Sequence, residues 1–424
     1  MSMLSRLRHF STTILSPNSA TPLTTKQKTR TAISLIKTEK NPERILEICR
    51  AAALTPDSHL DRVAFSLAVS KLTAANHFDG IRRFLDELKT RPDLRNERFL
   101  SHAIALYGQA TMLDHAIRTF KESEDLNVTR SVKSLNSLLF AAIAAKNYNE
   151  VSRIYLEFPK IYSIEPDLET YNLVIKSFCE SGSCGSVYSV LDEMDRKSIK
   201  PNAMTFSTLI GGCYKEEKFE EVGKVLKLMK EKYGMYPGLS TYNVRIQGLC
   251  KLKRSKEAKA LLEGMICRGR KPNSVSYSHL IYGFCKEGNF DEAKDLFSGM
   301  KKRGYLPDGD LYFTLVYYLS EGGDFESAFE VCKESMAKGW IPNFTTMKKV
   351  VNWLVSVEKF DDAKDVIKQI KGKFAANSDK WDEIEAALPH IDCAPYGALD
   401  AIVVKATNQL QQEMGQVQQL GNIS

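Results

Sequence analysis

The chain has 424 residues, 43% hydrophobic and 26% charged, a composition that excludes collagen-like, wholly disordered and disulfide-scaffold chains. Lysine and arginine exceed aspartate and glutamate by 59 to 52, a net charge of +7, which permits an anionic partner without requiring one. The longest apolar run, Leu138 to Ala145, falls far short of the roughly 18 residues of a membrane-spanning helix, so no membrane insertion is expected.

From Met1 to Thr38 there are six basic residues, Arg6, Arg8, Lys26, Lys28, Arg30 and Lys37, and no acid. Serine and threonine are dense between Ser11 and Thr31, the composition of an organellar transit peptide. Residues 1–25 are expected to be that address, with the mitochondrion favoured over the chloroplast because Arg8-His9-Phe10-Ser11 resembles a plant mitochondrial cleavage context. The alternative is a basic arm that stays on the protein and binds RNA. Residues 26–60 then read as an N-terminal helical cap, broken near Asn41-Pro42.

The next stretch is periodic. Prolines stand at Pro166, Pro201, Pro237, Pro272, Pro307 and Pro342, spaced 35, 36, 35, 35 and 35 residues apart. Glycines precede four of them by three residues, at Gly234, Gly269, Gly304 and Gly339. An aromatic column runs Tyr171, Phe206, Tyr242, Tyr277, Tyr312, an alanine column Ala258, Ala293, Ala328, Ala363, and a methionine column Met194, Met229, Met265, Met300.

Each unit reads as two helices. Tyr277, Leu280, Ile281, Phe284 and Cys285 recur at helical spacing, and after a break at Glu287-Gly288-Asn289 the stripe Phe290, Ala293, Leu296, Phe297, Met300 does so again. Glycine at the end of the second stripe suits the left-handed residue that closes a helix. Asp308 then caps the next one. Neither helix can bury its stripe alone, so the units must stack. The predicted fold is all-α, a right-handed superhelical solenoid of antiparallel helix pairs. Nine repeats are expected across 61–378, clearest at 132–343, with a C-terminal cap helix and tail at 379–424.

Chemical sites are not evident. The nine cysteines include no CxxC and lie near no histidine at metal-ligand spacing, so no metal, cofactor or catalytic residue is predicted. Cys179, Cys250 and Cys285 fall 71 and 35 residues apart, one structural position reused, as buried reduced thiols.

Tyr242 to Lys251 (YNVRIQGLCK) and Met300 to Asp308 (MKKRGYLPD) resemble the first helix and the ending of the pentatricopeptide repeat, in its pure 35-residue form. The resemblance implies single-stranded RNA binding at about one base per repeat, read by two side chains, the fifth residue of a unit and its last. On this chain the pairs are Asn136 with Asp167, Asn172 with Asn202, Ser207 with Gly238, Asn243 with Asn273, Ser278 with Asp308, and Phe313 with Asn343. By the family's code Asn/Asp implies U, Asn/Asn a pyrimidine and Ser/Asp G. Ser207/Gly238, Phe313/Asn343, Leu100/Ser131 and Lys348/Ser378 depart from it.

Each last-position Asp or Asn is also a preferred helix cap whether or not RNA is present. Lys215, Lys251 and Lys286, at the thirteenth position, would either follow phosphates or complement a helix C-terminus. Four legible pairs match random RNA roughly once per 64 positions, too often to single out one message. In its short array, long presequence and weak code the chain resembles the ribosome-associated pentatricopeptide proteins of plant mitochondria. The expected partners are therefore single-stranded or ribosomal RNA and mitochondrial ribosomal proteins, with a transcript-specific stability or processing factor and a purely protein-binding scaffold as the alternatives.

Overall fold

A computed structural model describes residues 24–52, 59–373 and 378–388. All but the last two residues of the expected transit peptide, 1–25, and the tail from residue 389 lie outside the described residues. Among the described residues the chain is all-α, with 21 α-helices, two short 3-10 turns and no strand. No helix among them is long and apolar enough to cross a membrane.

Helices α1 (Thr25–Thr38) and α2 (Pro42–Ala51) meet at Asn41, whose side chain caps α2. Nine helix pairs follow between His59 and Lys373. Seven of these pairs form the clearest stretch of the array: Val132–Ala144 with Tyr148–Ile161, Leu168–Glu180 with Val187–Arg196, Ala203–Lys215 with Phe219–Glu231, Leu239–Lys251 with Ser255–Cys267, Ser274–Lys286 with Phe290–Lys302, Gly309–Glu321 with Phe325–Ala337, and Phe344–Ser356 with Phe360–Lys373. A last helix, Ser378–Ala386, carries the buried Trp381, whose ring packs edge-on against Phe344 at 4.9 Å.

The chain divides into two compact units, residues 1–244 and 245–424. In the first, the helix opening each pair packs on the opening helix of the next, as Glu97–Gln109 on Val132–Ala144 and Leu168–Glu180 on Ala203–Lys215. In the second, Ser274–Lys286 packs in the same way on Gly309–Glu321. Each element therefore buries its stripe against sequence neighbours, the arrangement of a repeat array.

The columns read from the sequence are the core. The aromatic, alanine and methionine columns are buried throughout. Cys179, Cys250 and Cys285 are buried and free, and burial pushes the Cys250 thiol up to about 11 and that of Cys285 to about 12. Gly234, Gly269, Gly304 and Gly339 all take positive φ, 64° to 82°, at the ends of second helices. Ser163 and Ser198 occupy that place in two earlier pairs with φ of 52° and 58°, a conformation that disfavours any residue with a Cβ.

A further column sits where opening helices cross most closely. A Cβ on Gly212 would lie 2.4 Å from the Cys184 sulfur, and one on Gly283 would lie 2.5 Å from the Ser255 hydroxyl. One on Gly108 would lie 2.3 Å from the Cα of Ala141. Glycine is required there by the space, the backbone being ordinary helix.

Candidate nucleic-acid interface

The candidate residues gather at the N-terminal ends of the opening helices, because the last residue of one unit caps the first helix of the next. Asp167 Oδ1 accepts from Thr170 N at 2.9 Å, Asn202 Oδ1 from Thr205 N at 3.0 Å, and Asn273 Oδ1 from Ser276 N at 3.1 Å. Asp308 and Asn343 do the same for Leu311 N and Thr346 N, at 2.9 and 3.0 Å. All five last-position residues are thus caps. The bond engages only Oδ1, so at Asn202 and Asn343 an amide Nδ2 remains unbonded among the described residues, and at Asp308 a carboxylate Oδ2 does. Capping and base contact draw on different atoms of the same side chain. Gly238 has no side chain to offer either.

The fifth position differs from the sequence expectation. Asn136, Asn172 and Ser207 are not displayed on an open surface but buried, with 4%, 9% and 7% exposure. The cause is the stacking itself, which sets the fifth residue of one opening helix against the first turn of the next. Asn136 is fully engaged there: its Nδ2 donates to Asp167 Oδ1 at 3.1 Å and its Oδ1 accepts from the Thr170 hydroxyl at 2.6 Å. Burial pushes the Asp167 carboxyl up, but the bonds from Thr170 and Asn136 outweigh it and hold it below its ordinary value. Asn172 Oδ1 accepts from the Thr205 hydroxyl at 2.6 Å, while its Nδ2 has no partner among the described residues. The Ser207 hydroxyl donates to that of Ser240 at 3.2 Å.

Asn243 is half-buried. Ser278, also half-buried, donates to the carbonyl of Ser274 in its own helix at 2.9 Å, the local back-bonding open to serine within a helix. Phe313 is half-buried and brings no polar group.

The lysines divide. Lys215 is a helix cap and not a free phosphate ligand: its Nζ donates at 2.7 Å to the carbonyl of Glu180, the last residue of the preceding opening helix. That carbonyl is one of four left unpaired at a helix end, which is why it attracts the cation. Lys251 and Lys286 are exposed and have no hydrogen bond or ion pair among the described residues. Glu321, which holds the thirteenth position in its unit, pairs instead with Lys349.

Two positions escaped the sequence reading. The second residue of each of the last seven units, Lys133, Glu169, Met204, Ser240, Val275, Asp310 and Thr345, is exposed. Met204 and Val275 stand out as apolar side chains left 64% and 46% exposed beside the caps, surfaces on which a base can pack. In the last seven units the third residue is buried and is serine or threonine in all but one: Ser134, Thr170, Thr205, Thr241, Ser276 and Thr346, with Leu311 the exception. Both columns repeat at the period already found, so the signal was in the sequence.

No group of three or more histidine, cysteine, aspartate or glutamate side chains that could hold a metal ion occurs among the described residues. The surface can form hydrogen bonds, stack and attract phosphate.

Comparison with known proteins bears on what such a surface meets. A PPR repeat family model matches residues 166–215, 237–286 and 272–310, a PPR repeat model 204–233, and a pentatricopeptide repeat domain model 118–181. A mitochondrial pentatricopeptide repeat-containing protein of Arabidopsis thaliana is 52% identical over 236 residues, 55% of this chain and 57% of its own. The small ribosomal subunit protein mL103 (rPPR7) of the same plant is 30% identical over 271 residues, 63% of this chain and 65% of its own. The chain thus spans less than two thirds of the length of these relatives. PPR10 from maize superposes with a TM-score of 0.40 at 17% identity, covering 86% of this chain and 66% of its own. On the family matches, the chain carries pentatricopeptide repeats between residues 118 and 310, the family its periodicity resembles.

Proposed function

We propose that the chain binds single-stranded RNA in the mitochondrion and does so in association with the small subunit of the mitochondrial ribosome. The observation that carries the RNA reading is the pairing, at Asn202, Asp308 and Asn343, of an exposed second-position side chain with a cap residue that keeps one polar atom unbonded among the described residues. A donor or acceptor of fixed direction beside a packing surface is what recognition of an unstacked base needs. Exposed Lys251 and Lys286 supply attraction to phosphate. The ribosomal part rests on the likeness to mL103, a small ribosomal subunit protein, and on a code too weak to select one transcript.

Binding of short single-stranded RNA by the full chain, measured by fluorescence anisotropy, tests the first part. Affinity is expected to fall steeply with salt, and Lys286→Ala to weaken binding more than Lys215→Ala, since Lys215 is already committed to a carbonyl. Equal losses would contradict the division of the lysines. Gradient sedimentation of a mitochondrial extract tests the second part: co-migration with small subunits that survives mild RNase supports it, and migration as free protein opposes it.

A second reading, a protein-binding helical scaffold, draws on the burial of Asn136 and Ser207. It predicts that the full chain ignores RNA at physiological salt.

A further inference from the structure

The buried third-position hydroxyls do more than cap. Thr205 lies in the first turn of Ala203–Lys215, 1% exposed, and its Oγ1 accepts the backbone N–H of Asn202 at 3.1 Å. A threonine hydroxyl has one proton to give. Two acceptors are in reach, Asn202 Oδ1 at 3.2 Å and Asn172 Oδ1 at 2.6 Å, and the shorter contact takes it. The hydroxyl therefore holds the Asn172 amide by its oxygen, and the opposite atom, Nδ2, is the one turned away from the repeat contact and left without a partner among the described residues.

The preceding unit makes the same bond with a different result. Thr170 donates to Asn136 Oδ1 at 2.6 Å, but the cap there is a carboxylate, and Asn136 Nδ2 is drawn onto Asp167 Oδ1 at 3.1 Å. With an aspartate cap the amide's donor is consumed within the protein. With an asparagine cap it is left available. In the following unit the threonine is present but unused: Thr241 Oγ1 is buried with no partner, and Ser207 bonds to Ser240 instead.

We propose that Thr205 is a specificity-positioning residue: by gripping the Asn172 oxygen it fixes the amide so that this repeat presents a hydrogen-bond donor to the base it reads. Deleting the hydroxyl lets the amide rotate about its last torsion and offer oxygen or nitrogen alike. This rests on the RNA reading given above, and its test separates the two.

The full chain and its Thr205→Val, Thr205→Ser and Thr241→Val variants are each used to select from a random-sequence pool of short single-stranded RNAs, sequenced before and after. Thr205→Val is expected to flatten base preference at the one position read by the Asn172 repeat, by about tenfold for one directed hydrogen bond. Thr205→Ser retains the hydroxyl and the preference. Thr241→Val removes a hydroxyl that grips nothing and leaves the motif unchanged. A parallel urea-unfolding cycle of Asn172→Ala with Thr205→Val, without RNA, is expected to be non-additive, whereas Ser207→Ala with Thr241→Val is additive.

If the unmodified chain retains no RNA from the pool, the RNA reading fails and the specificity role fails with it, whatever the unfolding cycle gives; if it retains RNA but enriches no motif, the RNA reading stands and the positioning role is overturned. If a motif is selected and Thr205→Val leaves it intact, or weakens every position equally as a merely structural change would, the RNA reading stands and the positioning role is overturned. Additive behaviour of Asn172 and Thr205 also overturns it.

Discussion

Residues 24–244 and residues 245–388 carry the same repeat but join successive second helices with different mixtures of donors. In the first region tyrosine hydroxyls and cations alike meet carboxylates: Tyr155 reaches Glu193 at 2.7 Å and Tyr188 reaches Glu221 at 3.0 Å, while Arg50 meets Glu87 at 2.8 Å and Lys232 meets Asp195 at 2.6 Å. In the second the donors are ammonium groups, with Lys259 on Glu292, Lys294 on Asp324 and Lys301 on Glu334, each at 2.7 Å. The inner positions differ too, since the fifth-position amides Asn136, Asn172 and Asn243 all lie in the first region, beside Ser207, while the second carries Ser278 and Phe313. The repeat fixes which positions meet, and each meeting then tolerates any pair that satisfies it. A backbone-level contact leaves less room, and a test of each kind follows.

The largest effect is expected where the backbone itself is the neighbour. Gly108→Ala in the first region drives a methyl into Ala141 Cα and is expected to cost about 3 kcal/mol or more, measured by urea unfolding. Gly283→Ala in the second meets the Ser255 hydroxyl, which can turn, and the Cys250 Cβ and sulfur, of which only the sulfur can, and about 2 kcal/mol is expected. Equal costs would mean that the closer approach in the first region has no energetic weight.

Caps come next. Asn202→Ala removes the side-chain half of a capping box closed by Thr205 and is expected to cost about 1–2 kcal/mol. Asp308→Ala removes a single bond to Leu311 N from an exposed residue, and about 0.5–1 kcal/mol is expected. Thermal melts of the two variants, with Asn202→Gly as a milder control, measure the difference.

The smallest effect distinguishes the second-helix ladders. Burial pushes the Asp324 and Glu334 carboxyls up, but bonds from Lys294 and Ser327, and from Lys301 and Tyr312, outweigh it and hold both below their ordinary values. A carboxyl whose folded value lies below its unfolded one stabilises the fold above the unfolded value, near pH ~4, and loses that contribution as pH falls through the folded one. A Lys294→Met, Lys301→Met double variant should therefore melt lower than the unmodified chain at neutral pH and converge with it on acidification. These pairs are about a third exposed, so at most about 1 kcal/mol each is at stake before solvent screening. Tyr155→Phe in the first region removes a bond with no lysine in it, and its effect should respond less to added salt.

Much of the array was legible because a repeat states each structural demand several times over. The aromatic, alanine and methionine columns and the four closing glycines each appear at one interval, and each is buried or left-handed as its chemistry requires. The candidate site was only half legible. Asp and Asn before a helix satisfy two demands with one side chain, so the sequence could not separate capping from recognition. At Asn202, Asp308 and Asn343 the geometry shows the cap made at one oxygen and another polar atom unbonded among the described residues. For Lys215 the sequence left phosphate contact and helix-end capping open, because its partner is a backbone carbonyl, Glu180 O, which carries no letter in the sequence. The third-position hydroxyls were visible as a column and passed over, since threonine near a helix start already has a familiar reason to be there.

The sequence by itself determined the helix pair, its period and the residues that seal it, because burial of apolar stripes and closure of helix ends are local demands that each unit must meet in the same place. Only the tertiary structure decided which polar atoms remain unspent. That depends on where the next repeat puts its first turn, as Thr170 and Thr205 show by holding two asparagines of the same kind, one with its donor bound to Asp167 and the other with its donor left over. A hydrogen bond is settled by distance and direction between elements, and neither is written in residue identity.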